Sequence, residues 1–129
     1  DHGGGYKEDL DNGDRSRYQI PLILTGGAIA HPMKIKLIGS QLDIAATLLG
    51  QLGVEHKDFL FSKNMLSDAT PKFAFFTVND AFGVVSEENS LIFDNKSKKV
   101  LYDKGTKPGY NIKRGQAYLQ KLYDDISTK

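Results

Sequence analysis

The spacing of apolar positions divides the chain into a front part built around one helix and a back part that reads as a sheet followed by a helix. Leu42, Ala45, Ala46, Leu49 and Leu52 recur at the three- and four-residue intervals of a helical face. Ser40-Gln41-Leu42-Asp43 ahead of them has the form of a capping box with Asp in the place usually held by Glu or Gln, and Gly53 fits the residue that ends the helix. Gly50 inside it permits close packing on a neighbour. From residue 72 the pattern changes to short runs rich in aromatic and β-branched residues, at 73–78, 82–86, 91–93 and 100–102. Turn residues separate them: Asn79-Asp80, Glu87-Glu88-Asn89 and Asp94-Asn95-Lys96-Ser97. Strands joined by such short loops pair with their neighbours, which predicts a four-stranded antiparallel meander. Residues 104–111 break the pattern, and 113–126 restore helical spacing with Tyr118, Leu119, Leu122, Tyr123 and Ile126 on one face. This helix is expected to pack on the meander, and residues 72–126 are expected to fold by themselves.

The front part is less regular. Tyr18-Gln19-Ile20-Pro21-Leu22-Ile23-Leu24-Thr25 reads as a strand closed by Gly26-Gly27, with Pro21 arguing for its start or an edge position. The alternating run at 33–38 predicts a short second strand. An exposed edge on the strand at 18–25 would invite self-association. Residues 3–17 are glycine-rich and charged and read as a mobile loop, either a solvated stretch or an active-site rim whose Arg15 and Arg17 meet an anionic substrate. His31, before a proline, and His56, in a polar turn, read as surface residues; 62–71 reads as loop. The fold class is therefore α/β, or α+β within this chain. Its organisation is expected to be a loop at 1–17, the end of an α/β core at 18–60 and an antiparallel subdomain at 72–129, all in one structural unit.

Composition narrows the chemistry more than the fold. Seventeen basic and sixteen acidic residues leave a formal net charge of +1, so nothing favours a nucleic-acid partner. The absence of cysteine removes disulfides, thiolate metal sites and a thiol nucleophile. The longest apolar run, at 20–30, is far shorter than the ~20 residues that span a bilayer, so this chain carries no membrane segment. No phosphate-binding glycine loop, dinucleotide fingerprint, HExxH or GxSxG is present. Asn95-Lys96-Ser97 matches a glycosylation sequon, a pattern frequent by chance. The constellation with metal-site character is Asp1-His2, a carboxylate beside an imidazole, followed by Gly3-Gly4-Gly5. Catalytic zinc sites take about three protein ligands, so this pair is expected to be part of a larger set.

The order of these segments resembles the C-terminal part of sulfatase-like enzymes of the alkaline phosphatase superfamily, closest to lipoteichoic-acid-synthase-like phosphoglycerol transferases. The resemblance rests on Asp1-His2-Gly3, then Ile20-Pro21-Leu22-Ile23, then Gly39-Ser40-Gln41-Leu42-Asp43-Ile44-Ala45-Ala46-Thr47-Leu48-Leu49, with Ala46 where proline is usual. Phe61-Ser62-Lys63-Asn64-Met65-Leu66, Phe73-Ala74-Phe75 and Tyr102-Asp103 resemble the antiparallel tail of that group. The resemblance implies that Asp1 and His2 ligate Mn²⁺, Mg²⁺ or Zn²⁺. It implies a small or lipid-linked sulfate or phosphate ester as substrate and a parent enzyme outside the cytoplasm or in the cell envelope. The family's nucleophile, its remaining metal-binding carboxylate and a substrate-binding histidine precede everything present here, and neither Thr25 nor Thr47 matches the nucleophile motif. The chain is thus expected to be an inactive C-terminal fragment without bound metal. The alternative is a non-catalytic α/β binding module.

Overall fold

The computed structural model describes residues 15–26, 29, 31–32 and 34–129. The chain separates into two compact units, Asp1–Lys36 and Leu37–Lys129.

In the first unit the described residues contain a 3-10 turn, Arg15–Tyr18, and no strand. This corrects the strand expected at 18–25; the described part of the 33–38 run is likewise irregular. Apolar β-branched sequence supplies strand propensity, but a strand exists only through a partner's ladder, and none is present among the described residues. Leu22, Ile23 and Leu24 consequently lie 50%, 76% and 44% exposed.

The second unit has α+β architecture, with a four-stranded antiparallel sheet and two α-helices among the described residues. A 3-10 turn, Gln41–Asp43, leads into α1, Ile44–Gln51. The capping box forms as the sequence predicts: the Ser40 amide donates to Asp43 Oδ2 at 2.8 Å. At the other end Gly53 adopts φ +68°, Val54 N–H donates to Leu49 O at 2.9 Å and Gly53 N–H to Gly50 O at 3.3 Å. These two bonds make a Schellman stop. The helix does not bury the face its leucines define. Asp43, Ala46 and Thr47 are buried, whereas Leu42, Leu48 and Leu52 are exposed. The covered flank packs on the strap at 61–65: Ser62 Oγ accepts from Ala46 N–H at 2.9 Å, and a side chain at Gly50 would collide with Asn64.

The sheet runs in chain order, β1 (Phe73–Val78), β2 (Ala81–Ser86), β3 (Asn89–Asp94) and β4 (Lys99–Gly105), each antiparallel to the next. Two-residue turns join β1 to β2 and β2 to β3, so nearest neighbours in sequence are nearest neighbours in the sheet. The longer turn from β3 to β4 is organised by Asp94, whose Oδ1 accepts the amides of Lys96 and Ser97 at 2.8 and 2.9 Å. Register between β3 and β4 shifts after Ile92, which leaves Leu101 as an extra residue in β4.

Alternation within the strands puts Phe75, Phe82, Val84, Leu91 and Phe93 on one face, and these form the core. The second helix, α2 (Ile112–Ser127), covers this face with Ile112, Tyr118, Leu119 and Leu122. Tyr123 and Ile126, grouped with them by spacing, are 62% exposed. On the opposite face Phe76, Gly83, Ile92 and Tyr102 lie in one row across the strands, and the Phe76 ring occupies the space a Gly83 side chain would fill.

Candidate functional site

Asp1 and His2, the metal-ligand pair read from the sequence, and the loop at 3–14 lie outside the described residues. Arg15 and Arg17 fall in the 3-10 turn of the first unit, where Arg17 is half-buried and engaged by a neighbour. His31 is exposed at a bend, as a surface residue is expected to be, whereas His56 is half-buried, with Nδ1 3.2 Å from Val54 O and its carbonyl accepting the Phe59 amide. Among the described residues no group of three His, Cys, Asp or Glu side chains is placed to hold a metal ion.

The second unit brings together polar groups that spacing alone does not connect. Asp43, 1% exposed, is held by four donors: the Ser40 amide, Ser40 Oγ, the Lys63 amide at 3.1 Å, and Lys63 Nζ in an ion pair. Lys63 Nζ also sits 4.6 Å from the centre of the Phe73 ring. The carboxylate of the capping box thus does three things: it closes the helix start, fixes the strap at Lys63 and, through that lysine, joins α1 to the first strand. Thr47 completes the arrangement, its Oγ1 donating to Asp43 O at 2.6 Å and accepting from the Met65 amide at 3.0 Å. A hydroxyl committed in this way is a structural group. Asp43 was legible as a cap. Lys63, twenty positions later, was not.

A second polar cluster joins the β2–β3 turn to the start of α2. Asn111 is fully buried and makes no side-chain cap on its own helix. Its Nδ2 donates instead to Ser86 Oγ at 3.1 Å and Asn89 O at 2.8 Å. Asn89, 2% exposed, donates through Nδ2 to Asp103 Oδ1 at 2.6 Å and Lys107 O at 3.0 Å, and Asp103 Oδ2 accepts the Gly109 amide at 2.8 Å. The Oδ1 atoms of both asparagines are buried without a hydrogen-bond partner. Such orphaned acceptors are uncommon in folded proteins.

Beside this cluster an open cleft of about 710 Å³ runs between the β1–β2 face and one flank of α2. Phe73, Phe75 and Val84 line it from the sheet, Asn111 and Tyr118 from the helix. Lys72, Arg114 and Lys121 oppose Asp68, Glu87 and Glu88 around it, so the charges of its lining cancel. Arg114 stacks 4.1 Å from the centre of the Tyr110 ring. Glu88 has its pKa lowered, first by a backbone hydrogen bond and by Ser86, with Lys107 and Arg114 adding smaller effects against the opposing pull of burial. Tyr118, whose ring meets those of Phe61, Phe73 and Phe75 at 5.6, 5.8 and 4.4 Å, has its pKa raised, mainly by burial and secondarily by the charge on Asp43.

Comparison of the chain with protein-family models, with curated proteins and with solved structures finds no match. No helix among the described residues is long and apolar enough to cross a membrane.

Proposed function

We propose that this chain is the C-terminal part of a metal-dependent enzyme of the sulfatase-like group in the alkaline phosphatase superfamily, acting on a small or lipid-linked sulfate or phosphate ester in the cell envelope. The proposal extends to the alkaline-phosphatase-like fold of the whole enzyme, of which this α+β piece would form the end. The observation that carries it is the ordered run from Asp1-His2-Gly3 through Ile20-Pro21-Leu22-Ile23 to Gly39–Leu49. By the resemblance, Asp1 and His2 would supply two ligands to Mn²⁺, Mg²⁺ or Zn²⁺, the carboxylate suiting all three ions and the imidazole suiting Zn²⁺ best. The bound ion would act as a Lewis acid at the ester oxygen. Arg15 and Arg17 are assigned to the substrate rim, and the nucleophile to a part of the enzyme outside this chain.

Two features of the geometry support the reading. Asp43 and Thr47, the chemically capable groups of the most specific segment, are consumed by the fold, so the reading gives them no part in the chemistry. The leucines of α1 and Leu22–Leu24 present apolar surface of the kind a larger catalytic body covers.

The test is an assay of the full-length gene product on an aryl sulfate and on an aryl phosphodiester, with and without chelator. Turnover of one substrate, lost on chelation and in Asp1→Ala, is expected. A gene that encodes no Thr, Ser or Cys nucleophile segment and no further metal-binding carboxylate ahead of Asp1 overturns the reading.

The cleft beside α2 favours a second reading, a non-catalytic α/β binding module. Calorimetry with Mn²⁺ or Zn²⁺ on the full-length gene product separates the two, because equal metal affinity in wild type and Asp1→Ala favours the module.

A further inference from the structure

The sheet has two outer strands, β1 and β4, and they are built differently. β4 carries Lys99 and Lys104 and the extra residue Leu101, which distorts its ladder. Charge and bulges of this kind deter addition of another strand. β1 reads Phe-Ala-Phe-Phe-Thr-Val, with no charge and no proline, and pairs with β2 in uninterrupted register. Its turn into β2 has two residues, so Val78 and Ala81 form the closing hydrogen-bonded pair, and alternation directs the amides and carbonyls of Phe73, Phe75 and Thr77 away from β2. No backbone hydrogen bond runs from these three to a loop or helix among the described residues.

We propose that β1 is a dimerisation edge, pairing antiparallel about a twofold axis with β1 of a second copy of this chain. Charge selects the partner and its direction. Lys72 precedes β1 and Asp80 follows it, so antiparallel pairing carries each Lys72 to the partner's Asn79–Asp80 turn, whereas parallel pairing sets like charges together at both ends. The matching register places Phe75 opposite Thr77 of the partner subunit and Ala74 opposite Val78 of the partner subunit. A twofold β1–β1 contact closes on itself, while a β1–β4 contact would propagate into a filament, against the lysines and the bulge of β4. The edge is separate from the one expected at 18–25, which does not form, and the inference stands apart from the function proposed above.

The test is sedimentation velocity on the intact protein from micromolar to millimolar concentration, with circular dichroism to verify the fold. A concentration-dependent dimer is expected, and Thr77→Lys, at a position exposed in the single chain, is expected to abolish it with an unchanged spectrum. This chain has no cysteine, so a double variant Ala74→Cys, Val78→Cys, compared with the unaltered protein under the same oxidation, reports on register. Cα atoms in a non-hydrogen-bonded antiparallel pair stand about 4.5 Å apart, within disulfide range, and oxidation is expected to give a covalent dimer. A monomer at every concentration, a dimer indifferent to Thr77→Lys, or oxidation without a covalent dimer overturns the proposal.

Discussion

The Phe82 ring lies against Gly115, in the space that a side chain on α2 would occupy. Phe82 is fully buried at the centre of the core, so the ring has nowhere to retreat. Intrinsic helix propensity favours Ala over Gly by about 1 kcal/mol. The overlap reverses that sign, and Gly115→Ala is expected to destabilise the protein by about 1–3 kcal/mol, the usual range for overpacking a filled core. Urea unfolding measures it, and a stabilised variant would show that α2 sits farther from β2.

Asp43 is buried and its ion-pair partner Lys63 is half-buried, so removal of one partner leaves the other unpaired. Asp43→Ala is expected to cost about 3–5 kcal/mol. It also frees the Ser40 and Lys63 amides. Lys63→Met, which keeps an unbranched apolar side chain without the charge, is expected to cost less than Asp43→Ala. A double-mutant cycle on thermal or urea unfolding gives the coupling between them.

Alkaline pH is expected to loosen the packing of α2 through Tyr118. Its pKa in the folded state lies above the ordinary 10.0, because burial and the nearby Asp43 charge oppose the phenolate. The unfolded chain therefore releases this proton first as pH rises. The stability Tyr118 contributes is complete below pH 10.0 and is lost between that value and the higher folded one. Tyr118→Phe should flatten the stability profile above pH 10, seen in urea midpoints against pH. An unchanged slope would assign the alkaline loss to other groups.

Acid acts on the β3–β4 turn with the opposite sign. The pKa of Asp94 lies below its ordinary 3.8, chiefly because the Ser97 amide bonds the carboxylate. The contribution of Asp94 is therefore present above pH 3.8 and disappears as pH falls through the lower folded value. The stability gap between wild type and Asp94→Ala is expected to be widest near neutrality and to narrow once the pH falls below 3.8. A constant gap across the range would contradict the role given to its carboxylate.

The second unit was legible where local patterns determine its structure. Alternation and turn residues delivered the strands, because each pairs with the next along the chain. Capping chemistry delivered both ends of α1. Helical spacing identified α2 but misjudged its far end, where Tyr123 and Ile126 are exposed. Features that depend on distant partners stayed hidden. Lys63 gives no local sign that it reaches Asp43, and the buried Asn89 and Asn111 sit in segments whose polarity reads as surface. The run at 18–25 shows the same limit from the other side, since strand-like composition cannot supply a partner. Of the candidate site, Asp1 and His2 were visible as residue types at a suggestive spacing, and their geometry lies outside the described residues.

The in-line order of the strands also bears on how the molecule is made. Each ladder closes over a short loop, so the sheet can assemble hairpin by hairpin at little entropic cost. Its aromatic face is covered by α2, which follows the sheet in the chain, so a weakened α2 contact is expected to bare Phe75, Phe82 and Phe93 together.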